Sequence, residues 1–121
     1  MLVVLAMVLA GSVWLTTLLA ARGVLGVNAM VGIRTPATRG SDAAWRVGHR
    51  AALPVVAGCA LVVLVGGALA LALDGGSSAR RDGAGLALIG LVAVVTVVAG
   101  VVAHRAARAS KAGGTKPRPH A

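Results

Sequence analysis

Apolar positions run almost without interruption through three stretches, Leu2 to Ala21, Ala52 to Leu73 and Leu86 to Ala103, and polar positions collect between and after them. At 1.5 Å rise per residue, about 20 residues of helix span roughly 30 Å, the thickness of a bilayer's hydrocarbon core. The pattern therefore predicts an all-α, polytopic membrane protein with three transmembrane helices, the third a minimal one. A cleaved signal peptide competes for the first stretch. That stretch has no basic lead-in, and its apolar run is longer than such leaders use.

The polar segments divide into three kinds. Residues 22–33 are interrupted by Gly23, Gly26 and Gly32 and are too short to span again, so they are expected at the interface or against helix ends. Pro36 fixes its own backbone and pushes Thr35 toward an extended shape, which stiffens the chain near Arg34. Ser41 offers a hydroxyl to the free amides of a new helix, and Asp42 in its first turn complements the helix dipole. A short amphipathic helix is expected to start there and to run, kinked at Pro54, into the second span. On it, Asp42 and Arg46 are four residues apart, as are Trp45 and His49, which places Trp45 over His49. The segment 74–85, DGGSSARRDGAG, reads as a turn-rich loop. Residues 104–121 are basic, end in Gly and Pro, and are expected to be a disordered tail outside the membrane domain of residues 1–103.

Charge then orients the chain. Its twelve Lys and Arg residues fall five in the first polar segment, two in the second and five in the tail. With three spans, the first segment and the tail share one side, ten basic residues against two. The positive-inside rule puts that side in the cytoplasm and the N-terminus outside. The expected location is a bacterial plasma membrane.

Composition narrows the chemistry. A chain with 58% hydrophobic residues and a net charge of +9, and a mean hydropathy of +0.90, does not make a soluble globule. Its basic side fits anionic lipid, and no nucleic-acid motif accompanies it. Cys59 has no partner for a disulfide, and His49, His104 and His120 lack companions at ligand spacing, so no cofactor or metal is expected. The three spans contain no Asp, Glu, Lys, Arg or His, the groups that proton relays, coupled carriers and embedded enzymes place in the membrane. A non-enzymatic role follows. Thr16, Thr17 and Thr96 are expected to bond their own helix backbones. Gly66 with Ala70, and Ala99 with Ala103, fit packing through small residues.

Asn28, then Gly32-Ile33-Arg34-Thr35-Pro36-Ala37-Thr38, then Ser41, Asp42, Trp45 and His49 resemble the signature of the SdpI family of small bacterial membrane proteins. The resemblance covers the loop of residues 28–50 and carries over to Asn28, Gly32, Arg34, Thr35, Pro36, Thr38, Ser41, Asp42, Trp45 and His49. It implies immunity to a membrane-active peptide toxin, or signalling in response to one, with the toxin and a cytoplasmic repressor as partners. The best-known member has roughly twice as many spans, whereas the motif-bearing module is present here. Within the motif, Arg34 suits a lipid phosphate or a partner carboxylate, Trp45 an interfacial anchor, and His49 its hydrogen-bonding neighbour. Two other readings stay open: a purely structural motif, and an accessory or structural subunit of a membrane complex or transporter. Either allows oligomers.

Overall fold

The structure, a computed structural model, describes residues 1–27, 32–73 and 77–114. Among these residues it is all helical: α1 (Leu2–Ala21), a 3-10 turn (Thr38–Gly40), α2 (Asp42–Leu73) and α3 (Ser78–Gly113). All three α-helices are long and apolar enough to cross a membrane. Each packs on the other two, with α2 antiparallel to α1 and α3.

The helix ends follow from local chemistry. Gly23, at φ 78°, ends α1 in a left-handed turn in which the Gly23 amide donates to Ala20 O (3.1 Å) and the Val24 amide to Leu19 O (2.9 Å). This double closure satisfies carbonyls that α1 would otherwise leave open, and glycine enters that conformation without a Cβ penalty. The next open carbonyl, Ala21 O, accepts from Arg50 Nε of α2 at 3.1 Å. At the start of α2, Ser41 is extended and its Oγ accepts from the Ala44 amide at 3.1 Å. Asp42 lies in the first turn. Both positions stand where the sequence reading put them, and α2 runs on through Pro54 as one helix of 32 residues.

Two expected boundaries need correction. Helix α3 begins at Ser78 instead of Leu86, so most of the expected 74–85 loop is helix, and it continues to Gly113 through the first part of the expected disordered tail. Residues 74–76 and 115–121 lie outside the described residues. Hydropathy marks where a helix leaves the apolar core, whereas the helix itself lasts as long as something packs on it. At one end Gly85 is buried against the backbone of Leu2 and Val3, where a Cβ would lie 2.5–2.7 Å from their atoms. At the other, Ala99, Ala103 and Ala107 are all fully buried and extend one stripe past the apolar span.

Small residues make the core. Ala6, Ala10, Ala60, Val63 and Val92 pack together in one half of the bundle, and Ala52, Val56, Ala99 and Ala103 in the other, with Val13 and Ile33 against them. A third cluster, Ala37, Ala44 and Ala107, joins the 3-10 turn to α2 and α3. Lipid tails are as apolar as leucine, so burial of large side chains drives helices together only weakly in a bilayer, and close approach through small residues supplies the packing. The large apolar residues face outward accordingly, among them Val4, Leu5, Leu61, Val94 and Val97. Trp14 is 39% exposed on α1, on the same outward-facing kind of surface.

Candidate functional site

The loop Gly32 to Thr35 enters the bundle. Ile33 packs on Ala52, Val56, Ala99 and Ala103, residues of α2 and α3 within the spans. Irregular backbone at such a position has no helical partners of its own and is tolerated only when protein groups satisfy it. Two motif side chains do so. The Ile33 amide donates to His49 Nε2 at 2.9 Å, and Thr38 Oγ1 donates to Ile33 O at 2.9 Å.

The His49 tautomer follows from these bonds. A backbone amide can only donate, so Nε2 accepts, and Nδ1 carries the proton toward Trp45 O at 2.8 Å. His49 is therefore neutral, with both ring nitrogens engaged. It is fully buried and precedes the apolar run of α2. Trp45, 1% exposed, lies with its ring centroid 4.3 Å from that of His49 and the planes tilted by 42°. Its Nε1 donates to Leu25 O at 2.8 Å, which ties the chain leaving α1 to α2.

Gly32 completes this arrangement. Its φ is 111°, and a Cβ there would stand 3.1 Å from His49 Nε2 and 3.1 Å from Trp45 Cζ2. Only glycine meets both demands. Around Pro36, Thr35 and Thr38 cap each other: the Thr35 amide donates to Thr38 Oγ1 at 2.9 Å, and the Thr38 amide to Thr35 Oγ1 at 3.2 Å. This is the reciprocal logic of a helix capping box, here starting the 3-10 turn. Gly48 leaves room for Thr38 Cγ2 and for the Ala103 carbonyl, which a Cβ would meet at 2.7 and 3.0 Å.

Gly32, Thr35, Thr38, Trp45 and His49 thus converge on one feature, the seating of Ile33. Pro36 and Ser41 shape the chain on either side. Arg34 and Asp42 remain exposed. Arg34 borders a groove between α1 and α3 with Thr16, Thr17 and Thr96, while Asp42 lines a separate cavity of about 250 Å³ with Gly23, Leu25 and Arg46. Asn28 lies outside the described residues. Trp45 covers His49 as the four-residue spacing predicted, and at 1% exposure it is buried, not the interfacial anchor that the motif suggested. The sequence reading passed over Ile33, Gly48 and Arg50. Ile33 stands inside the motif, and its flanking Gly32 was the available signal; nothing local marks Arg50 as the partner of a carbonyl 29 residues earlier.

A family model described as the SdpI/YfhL protein family matches residues 24–103, about two thirds of the chain. The match spans the inserted loop, α2 and the apolar part of α3. Neither a curated protein nor a solved structure matches the chain.

Proposed function

The chain belongs to the SdpI/YfhL protein family and is a multi-pass membrane protein; from that premise we propose that it protects a bacterial cell from a membrane-active peptide, or signals in response to one, without enzymatic chemistry. It acts in the plasma membrane with the motif end in the cytoplasm, as the ten-to-two distribution of basic residues supports. Its basic end sits against anionic lipid, and a peptide toxin and a cytoplasmic repressor are its partners.

One observation carries the reading. The buried motif side chains are occupied in holding the Ile33 loop, whereas Arg34 is presented outward from that rigid seat. A guanidinium held on a stiff loop is a planar donor suited to a carboxylate or phosphate. Trp45 and His49 act by positioning it.

Survival of a sensitive host challenged with membrane-active peptides, at matched membrane abundance, tests the role. Arg34→Lys keeps the charge but loses the fork, so protection is expected to fall in Arg34→Lys and to disappear in Arg34→Ala. Full protection by both variants would reduce Arg34 to a topology determinant. A reporter fused at Ser78 is expected outside the cell; a cytoplasmic reading would overturn the orientation.

A further inference from the structure

The groove between α1 and α3 beside the inserted loop encloses about 280 Å³ and is lined by Val13, Thr16, Thr17, Arg34, Thr35 and Thr96, among others. We propose that it seats the headgroup of one anionic glycerophospholipid, with the Arg34 guanidinium on the phosphate. This deepens, and rests on, the reading of Arg34 as an outward-facing recognition residue.

Charge makes the first argument. The chain has only three acidic residues, Asp42, Asp74 and Asp82. Of the two that lie among the described residues, Asp82 is near the start of α3, at the opposite end of the bundle from Arg34, and Asp42 lines a different cavity. Among the described residues no hydrogen bond or ion pair engages the Arg34 guanidinium. None of the described residues supplies its counter-ion, which leaves the guanidinium open to an external anion.

Depth makes the second. Thr16 and Val13 precede the end of α1 at Ala21 by five and eight residues, which is roughly 8–12 Å of helix. The groove therefore lies below the end of a span, where a cation is costly unless it is paired or reaches the headgroups. Leu15 and Val97, sequence neighbours of Thr16 and Thr96, are exposed, so the groove opens where acyl chains run.

The hydroxyls make the third. Thr16 Oγ1 donates to Ser12 O (2.9 Å), Thr17 Oγ1 to Val13 O (2.7 Å) and Thr96 Oγ1 to Val92 O (2.7 Å). With their protons committed, the oxygens of half-buried Thr16 and exposed Thr96 can only accept toward the groove, while Thr17 is buried. The groove thus offers one cationic donor and a set of acceptors. A phosphate ester carrying hydroxyl groups matches both, as in phosphatidylglycerol, while a choline headgroup has neither net negative charge nor a donor.

Native mass spectrometry of the purified full chain in detergent, titrated with phosphatidylglycerol, phosphatidylcholine and free glycerol 3-phosphate, tests the proposal. One phosphatidylglycerol should bind saturably, with phosphatidylcholine and Arg34→Ala each about tenfold weaker or more, the scale of a hydrogen bond to a charged group. Arg34→Lys should fall between wild type and Arg34→Ala, Thr96→Val should weaken binding, and the double variant Arg105→Ala, Arg108→Ala should leave it unchanged. Equal retention by wild type and Arg34→Ala, or equal loss in the Arg105, Arg108 double variant, would overturn the site. Displacement of the lipid by glycerol 3-phosphate alone would assign the groove to a soluble anion and overturn the lipid. No toxin enters this measurement, so lipid retention with lost protection, or the reverse, separates failure of this inference from failure of the proposed function.

Discussion

Replacing His49 by Phe removes the acceptor of the Ile33 amide while keeping an aromatic ring beside Trp45. The Trp45 carbonyl stays within the hydrogen-bond ladder of α2, so the change isolates one bond, the 2.9 Å contact from Ile33 N to His49 Nε2. A donor left unpaired costs about 1–3 kcal/mol when water is kept from it; the acceptor ring is 0% exposed while Ile33 is half-buried, which places the cost toward the lower end. His49→Phe should therefore lower stability by about that amount, and His49→Ala by about 3–5 kcal/mol, because it also leaves a ring-sized void. His49→Gln, whose amide oxygen can accept, should recover part of the loss. Thermal unfolding in detergent followed by tryptophan fluorescence reads the stability. Hydrogen exchange of a peptide containing Ile33 reads the bond itself and should accelerate in His49→Phe more than in His49→Gln. Unchanged exchange in His49→Phe would refute the claim that His49 holds the loop, whatever happened to the melting temperature.

Two further outcomes are expected. Gly32→Ala should cost about 1–3 kcal/mol from its positive φ, plus crowding against Trp45 and His49, whereas Gly23→Ala meets only the flexible Arg46 side chain and should cost less; equal unfolding midpoints for the two would count against the close packing at Gly32. Ala107→Leu should cost about 1–3 kcal/mol by overpacking the seam between α3, α2 and the 3-10 turn, while Ala109→Leu on the exposed side should be neutral, and a neutral Ala107→Leu would mean that the helical extension of α3 is not packed on the motif.

The membrane class, the number of spans and the start of α2 were legible in the sequence because each rests on local physics. An apolar run of bilayer length must be helical to satisfy its own backbone, and Ser41 and Asp42 act within one turn of where they stand. The pairing of Trp45 with His49 was legible for the same reason, as a four-residue spacing on one helix. What the ring nitrogens of His49 bind was not, since the acceptor role depends on Ile33, sixteen residues away. The small-residue stripe Ala99, Ala103 and Ala107 stood in the sequence, but hydropathy stops at Ala103, where the tail turns basic. A helix needs a packing partner rather than an apolar solvent to continue, and only the tertiary structure supplies that partner, in the 3-10 turn and Ala44. The motif has the same character: it looks like a set of polar residues in a loop, and its meaning depends on Ile33 entering the bundle. Once that backbone lies among the spans, its amide and carbonyl require partners, and Thr38 and His49 provide them. Arg34 alone among the motif's basic and aromatic side chains borders the α1–α3 groove, a distinction that no spacing along the chain encodes.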